Sequence, residues 1–232
     1  MDAAINRKNR IPIFIQARMN SSRLPGKMSM KMKNGKTLLE NVILRCQMCK
    51  TTDRLIILTS SEPSDSKIVK LCKKNAVDVF EGSLENVYER YMGYIIEHNV
   101  EAFVRICGDS PLISHRLIDY SIDLFQSKNA DLVSNICRKT FPSGQSVEVV
   151  STQFLVSMQH LQSKNFSQEH ITQGLYELSG RIFSVEKSSP SHLLKLSVDT
   201  LQDFNRVDGL INLHKSDHFE PDIKSIFYHQ KI

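Results

Sequence analysis

The chain has 232 residues, 41% of them hydrophobic and 24% charged, a balance that suits one substantial globular domain. No apolar run approaches the ~20 residues that a bilayer-spanning helix needs. Net charge is +5, but Arg18, Arg23 and Lys27 crowd one short loop, and no long basic tract with interleaved aromatics occurs. That pattern points to a small anionic substrate and away from a nucleic acid or a membrane surface.

The opening MDAAINRKNR is polar and leads straight into a strand-like run, so it does not read as a signal peptide, and a cytoplasmic location is expected. The cysteines are five, an odd number, which suits free thiols in a reducing compartment. Cys46 and Cys49 form a CxxC inside a helical pattern with no second ligand pair, so helix cysteines are expected there and not a metal or redox site. The run 11–16 (IPIFIQ) predicts a buried strand. Helical spacing follows from Thr37 to about Cys49, and RLIILT (54–59) predicts the second strand. Pro63 suits the first turn of a helix running through Cys72. Val77 to Phe80 predicts a third strand, Leu84 to His98 a long helix, Ala102 to Cys107 a fourth strand and His115 to Ser127 the next helix. This alternation predicts a three-layer α/β fold with a mainly parallel central sheet. After Asp131 the rhythm changes: DLVSN, SVEVVS, IFSVE and LLKLS read as short strands. Helices are expected over 152–161, 168–178 and 201–214, with a last helical stretch near 221–230. No repeat or linker interrupts the chain, so a single domain over 1–232 with a second-half excursion is the simplest account.

In parallel α/β sheets ligands bind at the carboxyl ends of strands, and four such ends stand out. The first strand runs into QARMNSSRLPGK (16–27), where three cations, small polar residues and a Pro-Gly turn could cradle a polyphosphate; a merely solvated basic loop is the alternative. The fourth strand runs into RICGDSPLI (105–113), where Asp109 could hold Mg²⁺ or cap the next turn. Asp199, in LSVDT (196–200), could complete a two-carboxylate metal site or serve the N-terminus of the helix near Leu201. In EGSLENV (81–87), Gly82 permits a close backbone approach, and Ser83 could cap the helix or touch a ligand.

Together these segments resemble the cytidylyltransferases of the spore-coat polysaccharide biosynthesis group, which are similar to the CMP-sialate and CMP-Kdo synthetases. The likeness rests on QARMNSSRLPGK, GDSPLI and VDTLQDF in that order, with EGSLENVYERY and Glu169-His170, and it spans about residues 11–215. It implies a nucleotide-diphosphosugar-transferase-like fold, CTP as donor, Mg²⁺ as cofactor, a small anionic acceptor such as a sugar acid, pyrophosphate release and a homodimer. Carried over by position, Arg18, Lys27 and Asp109 are the implied catalytic residues, and Asp109 and Asp199 the metal ligands. The nucleotide would be bordered by Gln16, Ala17, Arg18, Ser22, Arg23, Lys27, Thr59, Ser60, Ser83 and Arg105, and the acceptor by Glu148 and His170. Acids common in that group after PLI and in the YPDGxDVEVF-like stretch are replaced here by Ser114, Ser143 and Ser146, on the expected acceptor side. A glycosyltransferase of the same fold type and a non-catalytic nucleotide-binding protein are the competing readings. The dense Arg-Arg-Lys loop suits a triphosphate better than a diphosphosugar.

Overall fold

The computed structural model describes residues 10–160, 171–213 and 223–230. Eight strands form one sheet in the order β3-β2-β1-β4-β6-β5-β7-β8. They are β1 (Ile13–Gln16), β2 (Leu55–Ser60), β3 (Asp78–Gly82), β4 (Ala102–Cys107), β5 (Leu132–Ser134), β6 (Glu148–Ser151), β7 (Ile182–Lys187) and β8 (Ile226–Gln230). Only β6 and β8 run against the others, so the sheet is mainly parallel, as the alternation of elements predicted.

The helices are α1 (Leu38–Gln47), α2 (Ser66–Lys74), α3 (Val87–His98), α4 (His115–Ser127), α5 (Thr152–His160) and α6 (Leu201–Leu213). Alternation along the strands sorts their side chains onto two faces. Ile13 and Ile15 of β1 pack with α1, α2, α4 and α6, whereas Phe14 packs with Tyr91 and Tyr94 of α3 and the apolar face of α5. Two helical layers thus cover the two faces of the sheet, with the edge strand β8 buried on one side only at Ile226.

Local chemistry sets the helix starts. Thr37 and Glu40 form a reciprocal capping box at α1, Asn86 caps α3 and Ser114 caps α4. Ser83 is therefore not the cap of α3; its hydroxyl accepts from the Asn86 amide in the preceding turn. Ser114 is fully buried and holds its helix through a hydroxyl that accepts from Leu117 N.

Three expectations fail in the second half. LLKLS is not a strand: Leu193 is 90% exposed, only Leu196 and Val198 enter the core, and a lone bridge pairs Ser143 with Lys195. The helix expected over 168–178 is, within the described residues, a short 3₁₀ turn at Gln173–Glu177. The helix expected near the end is a 3₁₀ turn at Ile223–Ser225 followed by β8, which adds antiparallel to β7. Its Ile-Phe-Tyr run suits a pleated surface, with Ile226 turned inward and Tyr228 packed edge-on against Phe183.

Candidate active site

The segment after β1 is pinned at both ends by apolar side chains. Met19 and Met28 are buried, and between them residues 20–25 face solvent or lie half-buried. Gly26, at φ 76°, closes this loop by donating to Met19 O at 2.9 Å. That left-handed conformation favours glycine, and it delivers Lys27 inward, where the side chain is only 7% exposed.

A buried ammonium needs acceptors, and the chain supplies them from far away in sequence. Lys27 Nζ donates to Val198 O at 2.6 Å and lies 3.2 Å from Asp109 Oδ2 and 4.0 Å from Asp199 Oδ1. The backbone sets this geometry, because Val198 N donates to Asp109 O at 2.9 Å and so lays the segment before α6 against the end of β4. Asp199 also meets Arg23 at 2.9 Å and Lys195 at 3.1 Å. Three basic side chains thus surround two carboxylates at the ends of β1 and β4, where the strand order reverses direction.

Neither carboxylate is a helix cap. Thr200 accepts from Asp203 N while Asp203 accepts from Thr200 N, so that pair caps α6 and leaves the Asp199 side chain to its basic partners. Asp203 also takes Lys195 at 2.6 Å and Arg206 at 2.8 Å. Burial alone would raise its pKa, but the hydrogen bonds from Lys195, Arg206 and the backbone hold it well below the usual carboxylate range. Among the described residues no three His, Cys, Asp or Glu side chains converge. Two neighbouring carboxylates, with phosphate oxygens and water completing the shell, are nonetheless what a hard divalent cation such as Mg²⁺ accepts.

The other expected site residues lie as follows. Gln16 ends β1, with its Oε1 buried and unpartnered. Ala17 is buried, and its amide donates to Leu58 O. Arg18 is half-buried, while Ser22 and Arg23 are exposed on the loop. Thr59 and Ser60 are fully buried and both donate their hydroxyls to Asp65, so they frame the site from beneath. Arg105 of β4 stands opposite Glu148 of β6. They form a buried ion pair at 2.6 Å, and Tyr176 donates to the second Glu148 oxygen. His170 lies outside the described residues.

Two site components escaped the sequence. Asp65 is 1% exposed and accepts from Met19 N at 2.7 Å, so it ties the loop after β1 to the end of β2. Nothing in the sequence around Pro63 set it apart. Lys195 was read as part of a strand; its i,i+4 spacing to Asp199 was the one available signal. The five cysteines carry free thiols. Burial pushes Cys46 and Cys72 up to about 12, which makes them inert packing groups.

Residues 13–215 match the cytidylyltransferase family model. The chain belongs to the cytidylyltransferase family. An uncharacterised protein of Methanocaldococcus jannaschii is 33% identical over 196 residues, which is 82% of this chain and 79% of that protein. The spore coat polysaccharide biosynthesis protein SpsF of Bacillus subtilis is 28% identical over 213 residues, 87% of this chain and 86% of its own. Among solved structures, a cytidylyltransferase from Leptospira borgpetersenii superposes with a TM-score of 0.85 at 28% identity, covering 91% of this chain and 90% of that one. A CMP-2-keto-3-deoxy-manno-octonic acid synthetase complexed with CTP shares the fold, with a TM-score of 0.70 at 14% identity, over 88% of this chain and 99% of that one. This cytidylyltransferase-family fold places its clustered charges at the carboxyl ends of β1 and β4, the position that open α/β sheets reserve for ligands.

Proposed function

We propose that the protein transfers CMP from CTP to a sugar acid or related anionic acceptor, with release of pyrophosphate, in the making of a surface polysaccharide or glycoconjugate. The observation that carries this reading is Lys27, held between Asp109 and Asp199 beneath a loop bearing Arg18 and Arg23. A lone basic loop would serve any anion. Paired with two carboxylates it suits a polyphosphate bound together with Mg²⁺. The family and the SpsF likeness support CTP and the polysaccharide setting.

In this reading Arg18, Arg23 and Lys27 hold the triphosphate, and Asp109 and Asp199 hold Mg²⁺, which when bound neutralises the charge that develops on the phosphate oxygens. An acceptor oxygen attacks the α-phosphorus, the bond to the β-phosphate bridging oxygen breaks, pyrophosphate departs in line, and the acceptor hydroxyl proton goes to solvent. Alignment and charge stabilisation are the protein's main contribution to such a step. Lys27 is suited to the leaving group, because in the free protein its ammonium already sits at the junction of both carboxylates and the Val198 carbonyl. Acceptor specificity falls to the β6-β5-β7 side, where the second-half excursion lies.

Incubating the protein with each nucleoside triphosphate, Mg²⁺ and a panel of sugar acids and phosphonates tests this. CTP-dependent pyrophosphate release with a matching CMP conjugate is expected. Release that is equal for all triphosphates, or turnover of a nucleotide sugar alone, would overturn it. Replacing Lys27 or Asp109 by Ala should lower kcat by about 10²–10³-fold, the usual effect of removing one well-aimed group, with the circular dichroism spectrum unchanged.

A further inference from the structure

The carboxylate oxygens of Asp109 and Asp199 are all engaged by donors from the chain itself. Asp109 Oδ2 faces Lys27 Nζ at 3.2 Å, and its Oδ1 accepts from the Ser110 hydroxyl at 3.3 Å. Asp199 Oδ1 faces Arg23 at 2.9 Å, and its Oδ2 faces Lys195 Nζ at 3.1 Å. A divalent cation approaching these oxygens therefore meets Arg23, Lys27 and Lys195, three charges of its own sign. Three cations on two carboxylates leave the cluster positive, which disfavours a metal ion that arrives alone.

The three cations differ in where they can go. Arg23 and Lys27 belong to the loop after β1 and are suited to phosphate. Lys195 comes from another direction. Its backbone bridges to Ser143, Leu196 N donates to Ser143 O at 2.7 Å, and the Lys195 carbonyl accepts from Arg206 Nη2 at 2.9 Å. From this fixed base its ammonium spans two carboxylates, Asp199 at 3.1 Å and Asp203 at 2.6 Å. Asp203 is held independently by the Asp199 and Thr200 amides and by Arg206. Lys195 can thus release Asp199 and keep the shorter contact, and its side chain, 39% exposed, has room to turn. Half-exposed ion pairs of this kind add little to stability, so what Lys195 chiefly changes is the charge that Asp199 presents.

We propose that Lys195 is a positioning residue that occupies Asp199 in the nucleotide-free protein and withholds it from a divalent cation until a triphosphate is bound. The inference rests on the reading of this centre as a metal–triphosphate site, and it concerns how that site is regulated. A bound triphosphate draws Arg23 and Lys27 onto its oxygens and reverses the sign of the cluster. Lys195 then rests on Asp203 alone, and Asp199 Oδ2 turns to the metal. Ion pairs are exchanged and no covalent bond changes. Metal and nucleotide thereby favour each other's binding, each by the same factor.

The test is Mn²⁺ binding to the nucleotide-free, full-length protein, followed by loss of the free-ion electron paramagnetic resonance signal. Wild type, Lys195→Met and Lys195→Arg are compared, with calorimetry of CTP in the presence and absence of Mg²⁺ and thermal unfolding of each. Lys195→Met keeps the aliphatic stem and removes the charge, so Mn²⁺ alone should bind on the order of 10-fold more tightly than to wild type. Adding Asp199→Asn to Lys195→Met should abolish that gain, and Lys195→Arg should restore the weak binding of wild type. The ratio of CTP affinities with and without Mg²⁺ should shrink in Lys195→Met by the same factor; the pairing of Mg²⁺ with free CTP is common to all variants and cancels. Lys195→Gln, which can still bond with Asp203, provides the same comparison if the methionine variant does not fold. Equal Mn²⁺ affinities in wild type and the uncharged variants overturn the inference. So does a loss of stability with weaker Mn²⁺ binding, the signature of a residue that merely braces α6. A wild type that binds no CTP in Mg²⁺ defeats the proposed function itself, whereas normal CTP binding with unchanged Mn²⁺ affinity in Lys195→Met defeats only the role of Lys195.

Discussion

Buried charges govern this protein residue by residue, and their partners tell structural roles from chemical ones. Glu148 is 1% exposed and closed on by Arg105 and Tyr176, so its replacement would strand a buried guanidinium. Glu148→Ala should cost about 3–5 kcal/mol in urea denaturation, and an activity loss in that variant would reflect the damaged fold before it reflected the acceptor. Asp65 behaves alike at the other end of the sheet: Asp65→Ala orphans the Met19 and Ser60 amides and the Thr59 hydroxyl at once. A loss on the order of 2–4 kcal/mol is expected from calorimetry, with weakened nucleotide binding because the phosphate loop loses its tether. The family resemblance pointed to Glu148 for the acceptor and Arg105 for the nucleotide, and nothing marked Asp65. Burial of a polar side chain leaves no local signature, and that is why the role of Asp65 and the pairing of Arg105 with Glu148 had to come from the structure.

Among the elements, those with local determinants were legible. The strand over 102–107 and the helix over 115–127 stand where the sequence placed them, because apolar alternation and a serine cap are properties of adjacent residues. The failures share another cause. β8 is a strand because β7 offers an open edge, and 193–197 is irregular because the Ser143–Gly144 turn already occupies the place where a strand would pair. At that crossing Gly144 has φ 92°, and a Cβ on it would fall 2.5 Å from the Ser197 amide. Gly144→Ala should therefore destabilise the protein by at least about 2 kcal/mol, read from the urea midpoint, and should misplace Asp199, raising the metal concentration needed for half-maximal activity. The phosphate loop was readable as a charge-rich segment, but its link to Lys195 and Val198 was not, since it depends on how the last third of the chain docks.

For the molecule as a whole, two carboxylates bind separate pieces together. Glu40 joins α1 to the end of α2 through Thr37, Lys74 and Asn75, and Asp203 joins Lys195, Arg206 and the start of α6. Burial raises the Glu40 pKa, yet the bonds from Thr37, Lys74 and Asn75 outweigh it and pull the group from 4.5 down to about 2. A carboxyl whose folded pKa is depressed stabilises the fold above its unfolded pKa and loses that contribution as pH falls through the folded one. Stability should thus hold down to about pH 4.5 and decline toward about pH 2; Glu40→Gln should flatten that decline and remove on the order of 2 kcal/mol at neutral pH, measured by thermal unfolding across the range.

The bond from Lys27 to Val198 spans 171 positions of the chain. The charge cluster around Lys27 therefore does not exist as a local module that matures early. During synthesis the phosphate loop emerges first and remains without its carbonyl anchor and without Asp199 until the final third of the protein has left the ribosome and docked. Closing so long a loop is slow compared with forming the β1-β2-β3 half. A fragment cut anywhere before position 198 would keep the basic loop yet lack Val198 and Asp199, so on the proposed function it would be chemically silent.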